Sequence, residues 1–178
     1  MCGRYVSHIE AAMEREWTLR RPPPLFDSYN VAPTQDVPVV RDTDEGRECI
    51  LMRWGLVPFW AKGVPPKYST INARIETITT APTWRGPWKR DQRWILPTLG
   101  FYEWQDRPGG RQPHYIHLTD QALFGFAGLW DSSTGSDATL ESAAIITMPA
   151  ILRREDHVAW LEGDSDAALG YSTRTLRS

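Results

Sequence analysis

A cysteine stands at position 2, directly behind Met1 and ahead of Gly3. Once Met1 is removed, this one residue carries both a thiol and a free α-amine. The amine titrates at roughly pH 8 and the thiol at about 8.5, so at neutral pH a useful fraction of each is nucleophilic. An amine attacks an aldehyde to give an imine, and the neighbouring thiol can then close a five-membered ring on the same carbon. A terminal cysteine is therefore an aldehyde trap. The competing reading is a frayed terminus, because first residues are commonly poorly ordered.

Three internal strings carry further chemistry. Gly100-Phe101-Tyr102-Glu103-Trp104 sets a carboxylate between large aromatics at what reads as the end of a strand, a setting suited to proton transfer. An outward-pointing Glu on an alternating strand fits the same spacing. Asn72-Ala73-Arg74 places an amide and a guanidinium close together, where Asn72 also suits a helix cap. Arg53-Trp54-Gly55-Leu56-Val57-Pro58-Phe59-Trp60 ends a strand in a proline turn, with Trp60 readable as a core plug or as an exposed wedge. No Walker loop and no GxGxxG cradles a phosphate. His8, His114, His117 and His157 share no ligand spacing with either cysteine, so neither a metal nor another cofactor is expected.

The elements that must position these groups are short. Ser7 followed by Glu10 reads as a capping box, and Ile9, Ala12, Met13 and Trp17 continue at helical spacing until Pro22-Pro23-Pro24. This predicts a helix behind the terminus. Extended pieces follow at 37–40, 48–57, 93–98, 114–118, 122–130 and 139–147. Turn signals at Asp44-Glu45-Gly46, Arg107-Pro108-Gly109-Gly110 and Ser133-Thr134-Gly135 separate several of them. Helical pieces are expected at 72–79 and 154–161. The sum is an α+β fold with mainly antiparallel strands, and 178 residues at 41% hydrophobic content suit one compact domain, 1–178.

Composition narrows the function. A net charge of −2 argues against indiscriminate nucleic-acid binding, while leaving room for a local basic groove. Two cysteines are too few for a disulfide framework. No apolar run approaches a membrane span, and the first twenty residues lack a signal peptide's hydrophobic stretch, so a cytoplasmic protein with no membrane partner is expected, and nothing demands more than a monomer. Nine tryptophans stand out, several beside Arg or Lys. Such interleaving suits unstacked bases and phosphates, but core filling is the better reading for most of the nine.

Taken in order, Met-Cys-Gly-Arg-Tyr, Tyr29-Asn30-Val31-Ala32-Pro33, Arg53 to Pro58, Asn72-Ala73-Arg74 with Glu76-Thr77, Gly100 to Trp104, and Phe126-Ala127-Gly128-Leu129-Trp130 resemble the SRAP family of abasic-site processing proteins, first named SOS-response-associated peptidases. The strings run from residue 2 to about 161, and six in sequence are specific where each alone is weak. The resemblance implies a twisted, barrel-like sheet with a few flanking helices. It also implies capture of abasic sites in single-stranded DNA, with Cys2 linked to the sugar aldehyde as a thiazolidine that protects the lesion in the DNA damage response. By the same resemblance Asn72 positions the open sugar and Glu103 manages protons. Arg4 and Arg74 contact phosphates, and Trp60 and Trp104 stack on bases.

One departure stands out. Relatives carry a His-x-Arg string before Met-Pro, whereas Ile146-Thr147 here runs straight into Met148-Pro149. The family's extension after the last helix also reads as short. Loss of one acid/base group predicts slower chemistry, by roughly 10²–10⁴-fold, with crosslinking retained. Three other readings stay open at this point. One is an N-terminal-nucleophile amidohydrolase that uses Cys2 and its own amine; another is a peptidase, including self-processing of the terminus; the third is a non-covalent single-strand-binding module.

Overall fold

The computed structural model describes residues 3–9, 17–120, 123–147 and 151–164. Within them eleven strands alternate with short helical turns. Five strands, β3 (Asp36–Thr43), β4 (Gly46–Trp54), β6 (Arg93–Thr98), β9 (Phe124–Thr134) and β10 (Thr139–Thr147), close into a barrel, because β10 pairs both with β4 and with β9. All neighbours in the ring are antiparallel except β10 beside β4. β5 (Asn72–Arg74) lies parallel on the free stretch of β10, and β11 (Ile151–Leu152) is antiparallel on β9. A second, four-stranded antiparallel sheet runs in the order β2 (Phe26–Val31), β1 (Tyr5–Ile9), β7 (Gly100–Arg107), β8 (Gly110–Ile116). This is the mainly antiparallel α+β architecture that the strand and turn signals predict, closed into the barrel-like sheet that the family resemblance implies.

The barrel strands bury both faces, and all six residues of β6 are buried. Trp94 and Leu96 pack on one side with Met52, Trp54, Phe126 and Ile145, where Tyr5, Val31 and Phe101 of the second sheet join them. Ile95, between them in sequence, packs on the other side with Ala127, Leu129, Trp84, Trp88 and Trp160. That two-residue alternation is the strand pleat. Burial of both faces also explains why these strands read as continuous apolar runs rather than as alternating ones. Six of the nine tryptophans (Trp17, Trp54, Trp84, Trp88, Trp94 and Trp160) are buried, so core filling is the role of most of them.

Close packing fixes one of the recurrent strings. Gly128 sits opposite Trp94. A Cβ there would stand 2.3 Å from the Trp94 ring and 2.6 Å from the Ala144 carbonyl, so only glycine fits.

Two predicted helices are corrected. Ser7 does not cap a helix: Tyr5–Ile9 is strand β1, and Ser7 is buried with its hydroxyl donating to the Pro97 carbonyl at 2.8 Å. Pairing with β2 on one edge and β7 on the other outweighs the local cap signal. The rest of that predicted helix, 10–16, lies outside the described residues. Asn72 likewise starts no helix. Residues Asn72–Arg74 form β5 because β10 offers a strand edge to pair with, and only Ile75–Thr77 turns, as a 3₁₀ segment. Helix at 154–161 is present as a 3₁₀ turn Arg154–Asp156 leading into His157–Glu162, while a short helix α1, Arg85–Lys89, went unpredicted. The last helix among the described residues, His157–Glu162, is α2.

His157 opens α2 and stacks on Trp17 with ring centroids 4.3 Å apart. It is 8% exposed, and burial pushes its imidazole down to about 4 from the usual 6.5. The folded state therefore holds His157 neutral, and the unfolded chain takes up its proton first as pH falls. Stability is fully present above about pH 6.5 and is lost progressively toward pH 4. The loss from this group reaches about 2 kcal/mol at pH 5. Thermal melts of the parent and His157→Phe at pH 7.5 and 5 check this: the parent's melting temperature drops between the two, and the drop is smaller in the variant.

Candidate functional site

The segment following Cys2 runs along β7. Cys2 itself lies outside the described residues. Gly3 and Arg4 follow it, and the Arg4 carbonyl accepts a hydrogen bond from the Tyr102 amide at 2.9 Å. The register continues with Tyr5 opposite Phe101 and Val6 opposite Gly100. Arg4 thus stands beside Tyr102, one residue from Glu103.

The pleat sorts the residues of β7. Phe101 is buried against Phe126, with ring centroids 5.4 Å apart. Glu103, two residues on, shares its face and is half-buried near the end of the covered region. Tyr102 and Trp104 share the opposite face, their rings 6.5 Å apart, and Trp104 is 37% exposed. The two aromatics flanking Glu103 in sequence therefore lie on the other side of the sheet from it. The cross-strand partner of Glu103 is His114 of β8, which places an imidazole on the carboxylate's own face. In the sequence His114 stands out only as a histidine without a metal-ligand spacing; the hairpin signal at Arg107-Pro108-Gly109-Gly110 carries the register that pairs it with Glu103.

Asn72 is tied to the segment after Cys2 through the core. Tyr5 meets Trp54 edge to face at 5.4 Å, and the Trp54 indole donates to the Ile71 carbonyl at 3.0 Å. Trp54 is fully buried. Tyr5, the residue after Arg4, is thereby linked through two rings and one hydrogen bond to the residue before Asn72. Asn72 itself is half-buried, and Arg74, two residues along the same short strand, is exposed.

The chain between β4 and β5 is an excursion from one edge of β10. It leaves where Trp54 stands opposite Ala143 and returns where Asn72 stands opposite Ile145. Gly55 makes the departure with φ of +128°, a conformation that side-chain-bearing residues avoid. Phe59–Ala61 then forms a 3₁₀ turn that holds Trp60 out at 45% exposure. Trp60 is thus an exposed ring and not a core plug. It stands apart from Asn72 and Glu103: the Phe59 amide donates to Asp131, which is level with Ser142, three residues or about 10 Å along β10 from the Asn72 position.

The second thiol is removed from solution chemistry. Cys49 is 3% exposed in the core, and burial pushes its thiol up to about 12. Among the described residues no three His, Cys, Asp or Glu gather as a metal site, and no helix is long and apolar enough to cross a membrane.

Comparison with known proteins converges on one family. The family model described as SOS response associated peptidase (SRAP) matches residues 1–174. The abasic site processing protein YoaM of Bacillus subtilis is 38% identical over 149 residues, covering 75% of this chain and 65% of YoaM. The chicken abasic site processing protein HMCES is 33% identical over 66% of this chain and 42% of its own length. This chain therefore spans just under two thirds of the bacterial relative and less than half of the avian one. A solved structure of a Bacteroides thetaiotaomicron protein superposes with a TM-score of 0.79 at 25% identity, covering 94% of this chain and 86% of that one.

Proposed function

This chain belongs to the SRAP family, and on that premise we propose that it captures abasic sites in single-stranded DNA through a covalent bond to Cys2. The observation that carries the reading is the run of Gly3-Arg4 along β7 beside Glu103, joined through Tyr5 and Trp54 to the strand bearing Asn72. That arrangement supports an amine, a thiol, a carboxylate and an amide acting on one carbon.

The chemistry balances without a cofactor. An abasic site in its open form presents an aldehyde. After removal of Met1, the Cys2 amine adds to the aldehyde carbon, and the resulting hydroxyl leaves as water to give an imine. The Cys2 sulfur then adds to the imine carbon, its proton passing to nitrogen. One C–N and one C–S bond form, and one water is released. Glu103 donates the proton that lets the hydroxyl depart, and Asn72 holds the sugar hydroxyl. Arg4 and Arg74 hold neighbouring phosphates, while Trp60 and Trp104 offer rings to flanking bases. Without the family's His-x-Arg string, proton transfer relies more heavily on Glu103, and the reaction runs slower than in a histidine-containing relative.

The test is a denaturing gel of the protein incubated with a single-stranded oligonucleotide bearing one abasic site. The expected result is a band of retarded mobility with the lesion strand and none with an undamaged strand. Absence of the band from protein whose Met1 is confirmed removed would refute the reading.

A further inference from the structure

Phe59 and Trp60 expose 55% and 45% of their surfaces beside α1. With Pro82, Arg85, Gly86, Lys89 and Arg90 they line a groove of about 460 Å³. Its walls are fixed from beneath. The buried Asp131 carboxylate accepts the Phe59 amide on one oxygen and the Arg90 guanidinium on the other, each at 2.9 Å. The Arg90 guanidinium in turn lies over the Phe59 ring at 5.3 Å. Gly86 permits this closeness, since a Cβ there would come within 3.2 Å of the Arg90 guanidinium. Pro87 and Trp88 anchor α1 in the core, and the Tyr68 and Thr83 hydroxyls bond at 2.8 Å, fastening the excursion to the approach to α1.

Asp131 neutralises Arg90, but the Arg85 and Lys89 side chains are exposed and have no hydrogen-bond or ion-pair partner among the described residues. Four residues apart on a helix, they share one face. None of the residues lining the groove is acidic. Two exposed rings beside two uncompensated cations suit a ligand with a flat apolar face and an anionic backbone. Unstacked nucleotides have both.

We propose that Arg85 and Lys89 hold phosphates beside the base already assigned to Trp60, with Phe59 as a second ring, so that this groove is a second grip on nucleotides flanking the lesion. The proposal rests on the abasic-site reading and extends it: the strand is held at the covalent site and also at a footing about 10 Å along β10 from the Asn72 position.

The test separates the two claims. Binding of a fluorescein-labelled, undamaged oligothymidylate is measured by anisotropy across a salt series for the parent, Arg85→Gln/Lys89→Gln and Trp60→Ala, and each protein's crosslink to a lesion strand is read at saturating DNA. The double variant is expected to lose about 1.4 from the slope of log affinity against log salt, roughly 0.7 for each phosphate contact removed. Trp60→Ala is expected to weaken binding about 5- to 150-fold with the slope kept. The saturating crosslink yield of the double variant stays at the parent level. An unchanged affinity and slope in the double variant overturns the groove, as does a parent with no affinity for the undamaged strand. In either case the crosslink of the parent still reports separately on the abasic-site reading.

Discussion

Cys2→Ala is expected to abolish the stable covalent product while leaving affinity for an undamaged single strand in place. The alanine variant keeps the α-amine, so it can still form an imine with the lesion aldehyde. Lacking sulfur, it cannot close the ring, and an open imine hydrolyses on denaturation. A gel run without reductant therefore shows no retarded band, whereas borohydride treatment before denaturation restores one. The other thiol cannot substitute, because Cys49 is sealed in the core and held protonated, its thiol pushed up to about 12. A band of parental intensity from Cys2→Ala without reductant would remove Cys2 from the chemistry. Ammonia released from glutamine by the parent and lost in the variant would instead favour an amidohydrolase.

Glu103→Gln carries the second largest effect. Glutamine keeps the shape and hydrogen-bonding reach of the side chain but cannot relay a proton, so the single-turnover crosslinking rate falls by roughly 10²–10⁴-fold. The end-point yield approaches that of the parent, since the substitution removes a proton carrier and leaves the bonds formed unchanged. Glu103 is only half-buried on β7, so the fold tolerates the neutral isostere and the melting temperature stays close to the parent's. The rate falls without a matching fall in melting temperature, a combination that a purely structural role would not produce. A time course matching the parent would reassign proton transfer to another group, and the cross-strand neighbour His114 is the first to substitute.

The barrel strands were legible because their signals are local. The runs at 93–98 and 139–147 coincide with β6 and β10, and each of the three turn signals falls between strands that the structure pairs as hairpins. Closure of the ring was not legible in any single run. It depends on β10 pairing with β4 in parallel, a contact between residues far apart in sequence, and came to the sequence reading only through family resemblance. The two misread helices failed for one physical reason. Ser7 and Asn72 both have cap chemistry, and in both cases a waiting strand edge offered the backbone a full set of partners that a cap does not.

Of the site, residue types were legible and placement was not. The string Gly100 to Trp104 pointed to Glu103, but the pleat that turns Trp104 to the other face follows from the strand's extent, which reaches Arg107 rather than ending near Glu103. Trp60 could be recognised as either plug or wedge, and what decided it was Gly55 and the proline turn carrying the chain off β10. Arg85 and Lys89 carried no signal of their own, because a five-residue helix is too short to announce a face. Their meaning appears only beside Phe59 and Trp60.

The central claim is that Cys2 closes a ring on the lesion aldehyde, and intact mass spectrometry of the purified adduct tests it most directly. The account predicts a mass equal to the chain without Met1 plus the lesion-bearing oligonucleotide less one water, formed without reductant and absent from Cys2→Ala. A species that retains Met1, or an equally stable adduct formed by Cys2→Ser at that variant's own mass plus oligonucleotide less one water, would contradict it.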